Sequence, residues 1–168
     1  MPFSTLMAKP VCEVLLVDSP LALPADNFAL ETGAIVDFWG VVRATESGAT
    51  ITGIEYEAHR SMAEYQLRLV AEEAGRKFPL MGIIVRHRTG FVPAGESSLL
   101  VRVGSQHRAE AFRACEWVVA ELKRRVPIWK RPRFELPKEC EMIVPLAEGQ
   151  RSLADSAPEL AGKSLSRA

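Results

Sequence analysis

Residues 105–134, SQHRAEAFRACEWVVAELKRRVPIWKRPRF, read as one amphipathic helix with basic groups at both ends. The helix is expected over roughly 106–125, and Pro127 stops it. Phe112, Cys115, Val119 and Leu122 recur at helical spacing and form an apolar stripe. His107 and Arg108 sit at the start, and Lys123, Arg124 and Arg125 at the end. Cations at a helix C-terminus offset the negative end of the macrodipole, so the terminal trio is ordinary. Cations at an N-terminus oppose that dipole. His107 and Arg108 therefore call for another reason, and an anionic ligand is one.

Upstream, the period changes from helix to strand and back. Residues 12–17 (CEVLLV) and 34–43 (AIVDFWGVVR) are rich in β-branched and aromatic residues and predict strands. Gly40 inside the second predicts a bulge or a close backbone approach. Pro24 and Gly33 bracket an expected short helix over 24–32. TESGAT reads as a flexible loop, and ITGIEYEA (51–58) as a strand that closes a hairpin spanning 34–58. A helix follows over 61–78, with Met62, Tyr65, Leu69, Val70, Ala74 and Phe78 on its apolar face. Strands at 81–88 and 97–104 are joined by the loop GFVPAGE, and 141–146 reads as a last short strand. Intermixed helices with hairpin-linked strands define an α+β class. One domain is expected over 1–147, with a small, polar, mobile tail over 148–168.

Composition narrows the function. Lys plus Arg equals Asp plus Glu at 21 each, so there is no basic excess of the kind a general nucleic-acid binder shows. Any anion site must come from local clustering. Cys12, Cys115 and Cys140 are widely separated, with no CxxC pair, which argues against a zinc site or dithiol redox motif and suits a reducing compartment. No apolar run approaches the ~20 residues of a membrane span, and no leader sequence is evident, so a cytoplasmic protein is expected.

Several residues can carry chemistry. Lys123 lies eleven positions after Phe112, about 20° from it around the helix axis, at the edge of the apolar stripe. A lysine there can be partly desolvated and so become a better nucleophile or base. It can equally snorkel, covering apolar surface with its stem. Trp129 anchors a proline-broken turn that carries Lys130 and Arg131, either a solvated basic loop or part of an anion site. Arg43 ends one predicted strand, and His107-Arg108 follows another; strand ends and helix starts are where such proteins gather ligands. His59 and His87 lack partners at metal-ligand spacing. GxSxG, GxxxxGK[ST] and GxGxxG are absent. Glu55, Glu57 and Glu116 read as ordinary exposed positions. What remains is a cationic pocket without a metal or nucleophilic thiol, suited to a phosphorylated ligand or a terminal carboxylate.

GAIVDFWGVVR, IEYEAH, VRHRTGFVPAGE, SQHRAEAF and LKRRVPIWKR, in this order and spacing, resemble the catalytic (large) subunit of molybdopterin synthase across residues 33–134. The resemblance implies a hammerhead-like α/β core with an additional antiparallel sheet. It implies sulfur transfer from the thiocarboxylated C-terminal glycine of a small ubiquitin-like partner to cyclic pyranopterin monophosphate, giving the molybdopterin dithiolene. It implies a homodimer at the centre of a heterotetramer, and it calls for no metal or cofactor. Carried onto this chain, it makes Lys123 and Lys130 catalytic. Arg43, His107, Arg108 and Arg131, with the two lysines, would hold substrate. The family's cross-protomer arginine after the WK motif has no counterpart; Arg131, Arg133 and Lys138 are the cations nearby. A non-catalytic adaptor for a ubiquitin-like tail or a phosphorylated metabolite is the alternative.

Overall fold

The computed structural model describes residues 11–25, 28–135 and 166–167. Two helices pack on one face of a four-stranded sheet, and a second, antiparallel sheet lies beside it. The α+β class and the additional antiparallel sheet are as expected.

The first sheet has the order β1 (Val11–Val17), β5 (Leu80–Arg88), β7 (Ser97–Ser105), β2 (Ala34–Val41). β1 and β5 run parallel, and the other pairs are antiparallel. β7 is buried along nearly all its length, because neighbours flank it on both edges and protein covers both faces. Val101 and Val103 of β7 join Ile83 and Val85 of β5 in the main core. That core faces α1 (Arg60–Lys77) and α2 (Arg108–Arg125), which also touch each other. Ile84 and Leu100 are equally buried but lie outside this cluster. On β7, two residues on from Arg102, Gly104 leaves room for the Phe28 ring, which also receives the Arg102 guanidinium at 5.9 Å from its centroid.

Both helices fall where the periodicity puts them, and Val70, Ala74, Cys115 and Leu122 are buried as expected, but each buried face is turned partly away from the expected stripe. α1 buries Ala63, Leu67, Val70, Ala71 and Ala74, while Met62 and Tyr65 are exposed. The expected face was set by large residues. The sheet adds Ala63, Ala71, Ala111 and Ala114 to the buried face in place of Met62, Tyr65 and Phe112, because alanines let a helix approach closely. α2 likewise buries Ala111, Ala114, Cys115, Val118 and Leu122, and leaves Phe112 at 62% exposure.

The second sheet corrects the predicted 34–58 hairpin. β4 (Ala49–Ala58) does not pair with β2; it pairs with β8 (Ile128–Phe134) on one edge and with β6 (Gly90–Pro93) on the other. The register shift at Gly40/Val41 is the anticipated bulge. Beyond it, Val42 bonds to Glu96 and Gly95, and the chain leaves the first sheet. TESGAT is not a flexible loop. It forms the tight hairpin between β3 (Thr45–Glu46) and β4, with Ser47 and Gly48 both at positive φ (50° and 83°). GFVPAGE holds strand β6 as well as a turn. Trp129-Lys130-Arg131 lies in strand β8, not in a turn, because β4 offers it an unpaired edge. The expected helix over 24–32 is absent among its described residues, which form a bend and a turn closed by Thr32 N–H to the Ala29 carbonyl, 3.0 Å. The expected strand at 141–146 lies outside the described residues. So does the expected tail, except that Ser166–Arg167 (β9) pairs with Trp129–Lys130.

Gly53 shows how tightly the second sheet is built. A Cβ there would sit 2.4 Å from the Val92 carbonyl oxygen and 2.6 Å from the Phe91 ring. The oxygen belongs to backbone and cannot swing aside, so Gly53→Ala should destabilise the fold by about 1–2 kcal/mol. A denaturant midpoint indistinguishable from that of the unsubstituted chain would refute this.

Candidate active site

The three strand-end and helix-end cations Arg43, Lys123 and Lys130 come together. They line one cavity of about 310 Å³, with Phe38, Tyr56, His87, Ser98 and Leu122 among its walls. Each arrives on a different element. Arg43 stands just past the β2 bulge, Lys123 in the last turn of α2, and Lys130 in β8. Val126, Pro127 and Ile128 are buried and bring the chain from α2 into β8 within a few residues, so the two lysines meet although seven positions separate them. Lys123 is exposed, at the cavity rim, which fits the snorkelling alternative and not the desolvated one.

Lys130 sits opposite Tyr56 across the β4–β8 ladder, so both side chains share one face. Its Nζ donates to Glu46 Oε1 at 2.7 Å, and Arg43 Nη2 lies 3.6 Å from Glu46 Oε2. The hydrogen bond from Lys130 holds the Glu46 carboxyl below its usual range, against a smaller opposing effect of burial.

The floor is polar and buried. The Tyr56 ring meets His87 edge-on at 5.2 Å, and its hydroxyl hydrogen-bonds Ser98, whose Oγ in turn donates to the Gly40 carbonyl at 3.3 Å. Burial raises the Tyr56 phenol. His87 is 2% exposed, and its Nδ1 lies 2.7 Å from the Arg88 carbonyl oxygen. A carbonyl only accepts, so Nδ1 carries the proton and Nε2 the lone pair of a neutral ring. Burial depresses the His87 pKa to about 4, only partly offset by that hydrogen bond.

The other expected site residues lie elsewhere on this chain. His107 is the N-cap of α2, exposed and without a side-chain capping bond. Sixteen residues separate it from Lys123, about 24 Å along the helix. Arg108 shares that end. Arg131 is on the opposite face of β8 from Lys130 and pairs with Glu57 at 3.0 Å, leaving its buried Nε without a partner. Glu55 and Glu57 are ordinary cross-strand partners of Arg133 and Arg131.

Glu46, Tyr56 and Ser98 were not singled out from the sequence, and His87 was weighed there only as a metal ligand. For Tyr56 a signal existed: alternation along IEYEA puts it on the inward face with Ile54. Neither described thiol is activated. Burial, then the Asp37 charge, pushes Cys115 up to about 11, and burial also raises Cys12. Among the described residues no three His, Cys, Asp or Glu side chains are grouped to hold a metal, and no helix is long and apolar enough to cross a membrane.

Known proteins resemble this chain in sequence and in fold. Over 147 residues the chain is 39% identical to the molybdopterin synthase catalytic subunit of Pyrococcus abyssi, covering 88% of this chain and 92% of that one. A crystal structure of molybdopterin synthase from Staphylococcus aureus superposes with a TM-score of 0.64 at 33% identity, covering 71% of this chain and 90% of that one. The same fold recurs at 22% identity and a TM-score of 0.56 in a complex of subunits 1 and 2 of the molybdopterin-converting factor from Helicobacter pylori, covering 75% and 90%. A family model described as MoaE protein matches residues 17–125, which include Arg43 and Lys123, and with that match the chain belongs to the MoaE family.

Proposed function

We propose that this chain is the catalytic, sulfur-transferring subunit of a molybdopterin synthase and acts in molybdenum cofactor biosynthesis. The observation that carries the reading is the convergence of Arg43, Lys123 and Lys130 on one cavity with no activated cysteine among the described residues. Sulfur must then be imported. The source is the thiocarboxylated C-terminal glycine of a small ubiquitin-like partner, and the acceptor is cyclic pyranopterin monophosphate. Two free cysteines among the described residues, with no disulfide, support a cytoplasmic setting.

In this reading Arg43 binds the substrate phosphate, for which its planar fork is suited. Lys130, held against Glu46 beside Tyr56, stabilises negative charge that develops as sulfur attacks, or delivers a proton there. Lys123 at the rim meets the entering tail. When the thiocarboxylate sulfur has bonded to substrate, the glycyl carbonyl is held as a thioester. Attack by the Lys123 amine on that carbon forms the C–N bond as the C–S bond breaks, leaving the sulfur on substrate, and water then hydrolyses the resulting amide to a carboxylate and the free lysine. The entering tail itself would supply the dry surroundings that an exposed lysine lacks.

His107 and Arg108 lie at the far end of α2, so they reach a pocket only across a dimer, serving the site of a second copy. Arg131 joins substrate only by leaving Glu57, and its open Nε gives it a donor to spare. The assembly is therefore a homodimer of this chain with one small partner at each pocket.

Reconstitution tests the reading. The purified chain, a thiocarboxylated ubiquitin-like partner and cyclic pyranopterin monophosphate should together yield dithiolene product. A stable complex that forms no product would overturn the catalytic reading in favour of an adaptor.

A further inference from the structure

The cavity is not an open ring of cations. Glu46 stands between two of them, with one carboxylate oxygen toward Lys130 at 2.7 Å and the other toward Arg43 at 3.6 Å. Its side chain is 18% exposed and that of Lys130 25%, so the pair is largely withdrawn from water. A carboxylate that gives one oxygen to each of two cations presents what an incoming phosphate or terminal carboxylate would present. We propose that Glu46 is a built-in counter-ion that fills the anion position of the empty pocket, and that the anionic group of the incoming ligand displaces it.

The local fold suits such a residue. Glu46 is the last residue of a two-residue strand, held by the pairs Thr45↔Thr50 and Glu46↔Ala49 alone. The turn that follows has two consecutive residues at positive φ, and no side chain or backbone lies within 4 Å of where a Gly48 Cβ would point. Few ladder bonds and an open tip make this one of the cheaper places in the chain to move. Lys130 and Tyr56 sit on the long β4–β8 ladder and stay in place when Glu46 leaves. Three effects follow. The empty pocket avoids leaving the partly buried Lys130 unpaired. Lys130 is kept aimed into the cavity. Weakly binding anions must compete with a tethered carboxylate, so only a ligand with further contacts enters.

A permanent structural salt bridge predicts the opposite response to substitution. If Glu46 only orders the two cations, removing its charge loosens them and weakens anion binding. If it is displaced, removing its charge strengthens binding, since one competing negative charge is gone.

The test uses the full chain as wild type, Glu46→Gln and Glu46→Asp. Binding of inorganic phosphate and of a peptide ending in a Gly-Gly carboxylate is titrated calorimetrically at low and at high salt. Glu46→Gln should bind at least one of the two about tenfold more tightly than wild type, with a smaller gain at high salt. Glu46→Asp, which keeps the charge, should stay within about threefold of wild type. The ligand with the larger gain identifies whether substrate phosphate or partner tail replaces Glu46. Adding Arg43→Gln to Glu46→Gln should remove most of the gain. Unchanged, weaker or undetectable binding of both ligands to a natively folded Glu46→Gln would overturn the proposal. The inference rests on the pocket taking an anion, but the titration needs no turnover. A tenfold gain in a chain that makes no dithiolene would sink the synthase reading and leave this one standing.

Discussion

Replacing Lys123 with alanine should lower dithiolene formation by at least about 100-fold while leaving the complex with the small partner intact, because the amine that receives the acyl group is gone. Lys123 is exposed on the last turn of α2, and its neighbour Leu122 carries the packing. The substitution therefore deletes chemistry without opening a cavity, and the thermal midpoint should stay within a few degrees. Lys123→Arg separates two roles. An arginine keeps positive charge at the rim but stays protonated and is no nucleophile. If Lys123 only attracts the tail, Lys123→Arg should recover most of the rate. If its amine takes the acyl group, arginine should be nearly as poor as alanine. Single-turnover product formation with preloaded partner is the measurement. Near wild-type rates in both variants would remove Lys123 from the chemistry.

The largest effect on stability should come from His87 and should be visible as pH dependence. In the folded chain its pKa is depressed to about 4, against about 6.5 when unfolded. Between these values the unfolded chain binds a proton that the folded chain refuses. Stability is therefore fully present above about pH 6.5 and falls as pH is lowered toward 4. At about 1.4 kcal/mol per pH unit, the loss between pH 6.5 and 4.5 is about 2–3 kcal/mol. The carboxylates held low by ion pairs, Glu46 and Glu121, are protonated only below the normal carboxylate range, so this window belongs mainly to His87. Urea unfolding of wild type and His87→Gln across pH 4.5–7.5 tests it. The wild type should lose stability with acid, and the variant should show a nearly flat profile over the same window. Parallel profiles would mean that His87 is not held neutral. The consequence for the site is a neutral ring beneath the lysines at working pH, adding no positive charge to the pocket floor.

Much of the site could be read from the chain because it is carried by local signals. The α2 helix, its stop at Pro127 and the bulge at Gly40 each follow from a few adjacent residues whose backbone preferences agree. The positions of Arg43 and Lys123 at the ends of those elements followed directly, Lys130 was expected in a turn and stands in strand β8, and the ordered motifs around all three supplied the family. Period alone, however, could not say which side of a helix meets the sheet. In α1 and α2 two overlapping apolar stripes compete, sharing Val70 and Ala74 in α1 and Cys115 and Leu122 in α2. The alanine-rich one won because close approach to a flat sheet rewards small side chains, leaving Met62, Tyr65 and Phe112 outside.

The sequence by itself determined the two long helices, strands β1, β2, β4, β5 and β7, the family and the three cations that line the cavity. It did so because helix period, turn chemistry and motif spacing are local or nearly so. Only the tertiary structure decided that β4 joins β8 instead of β2, since strand partners depend on which unpaired edge the folded chain presents. That pairing, made across more than seventy residues, sets Lys130 beside Tyr56 and delivers Glu46 between Lys130 and Arg43. It also settled that His107 and Arg108 stand a helix length from Lys123, because a rigid helix fixes the distance between its ends.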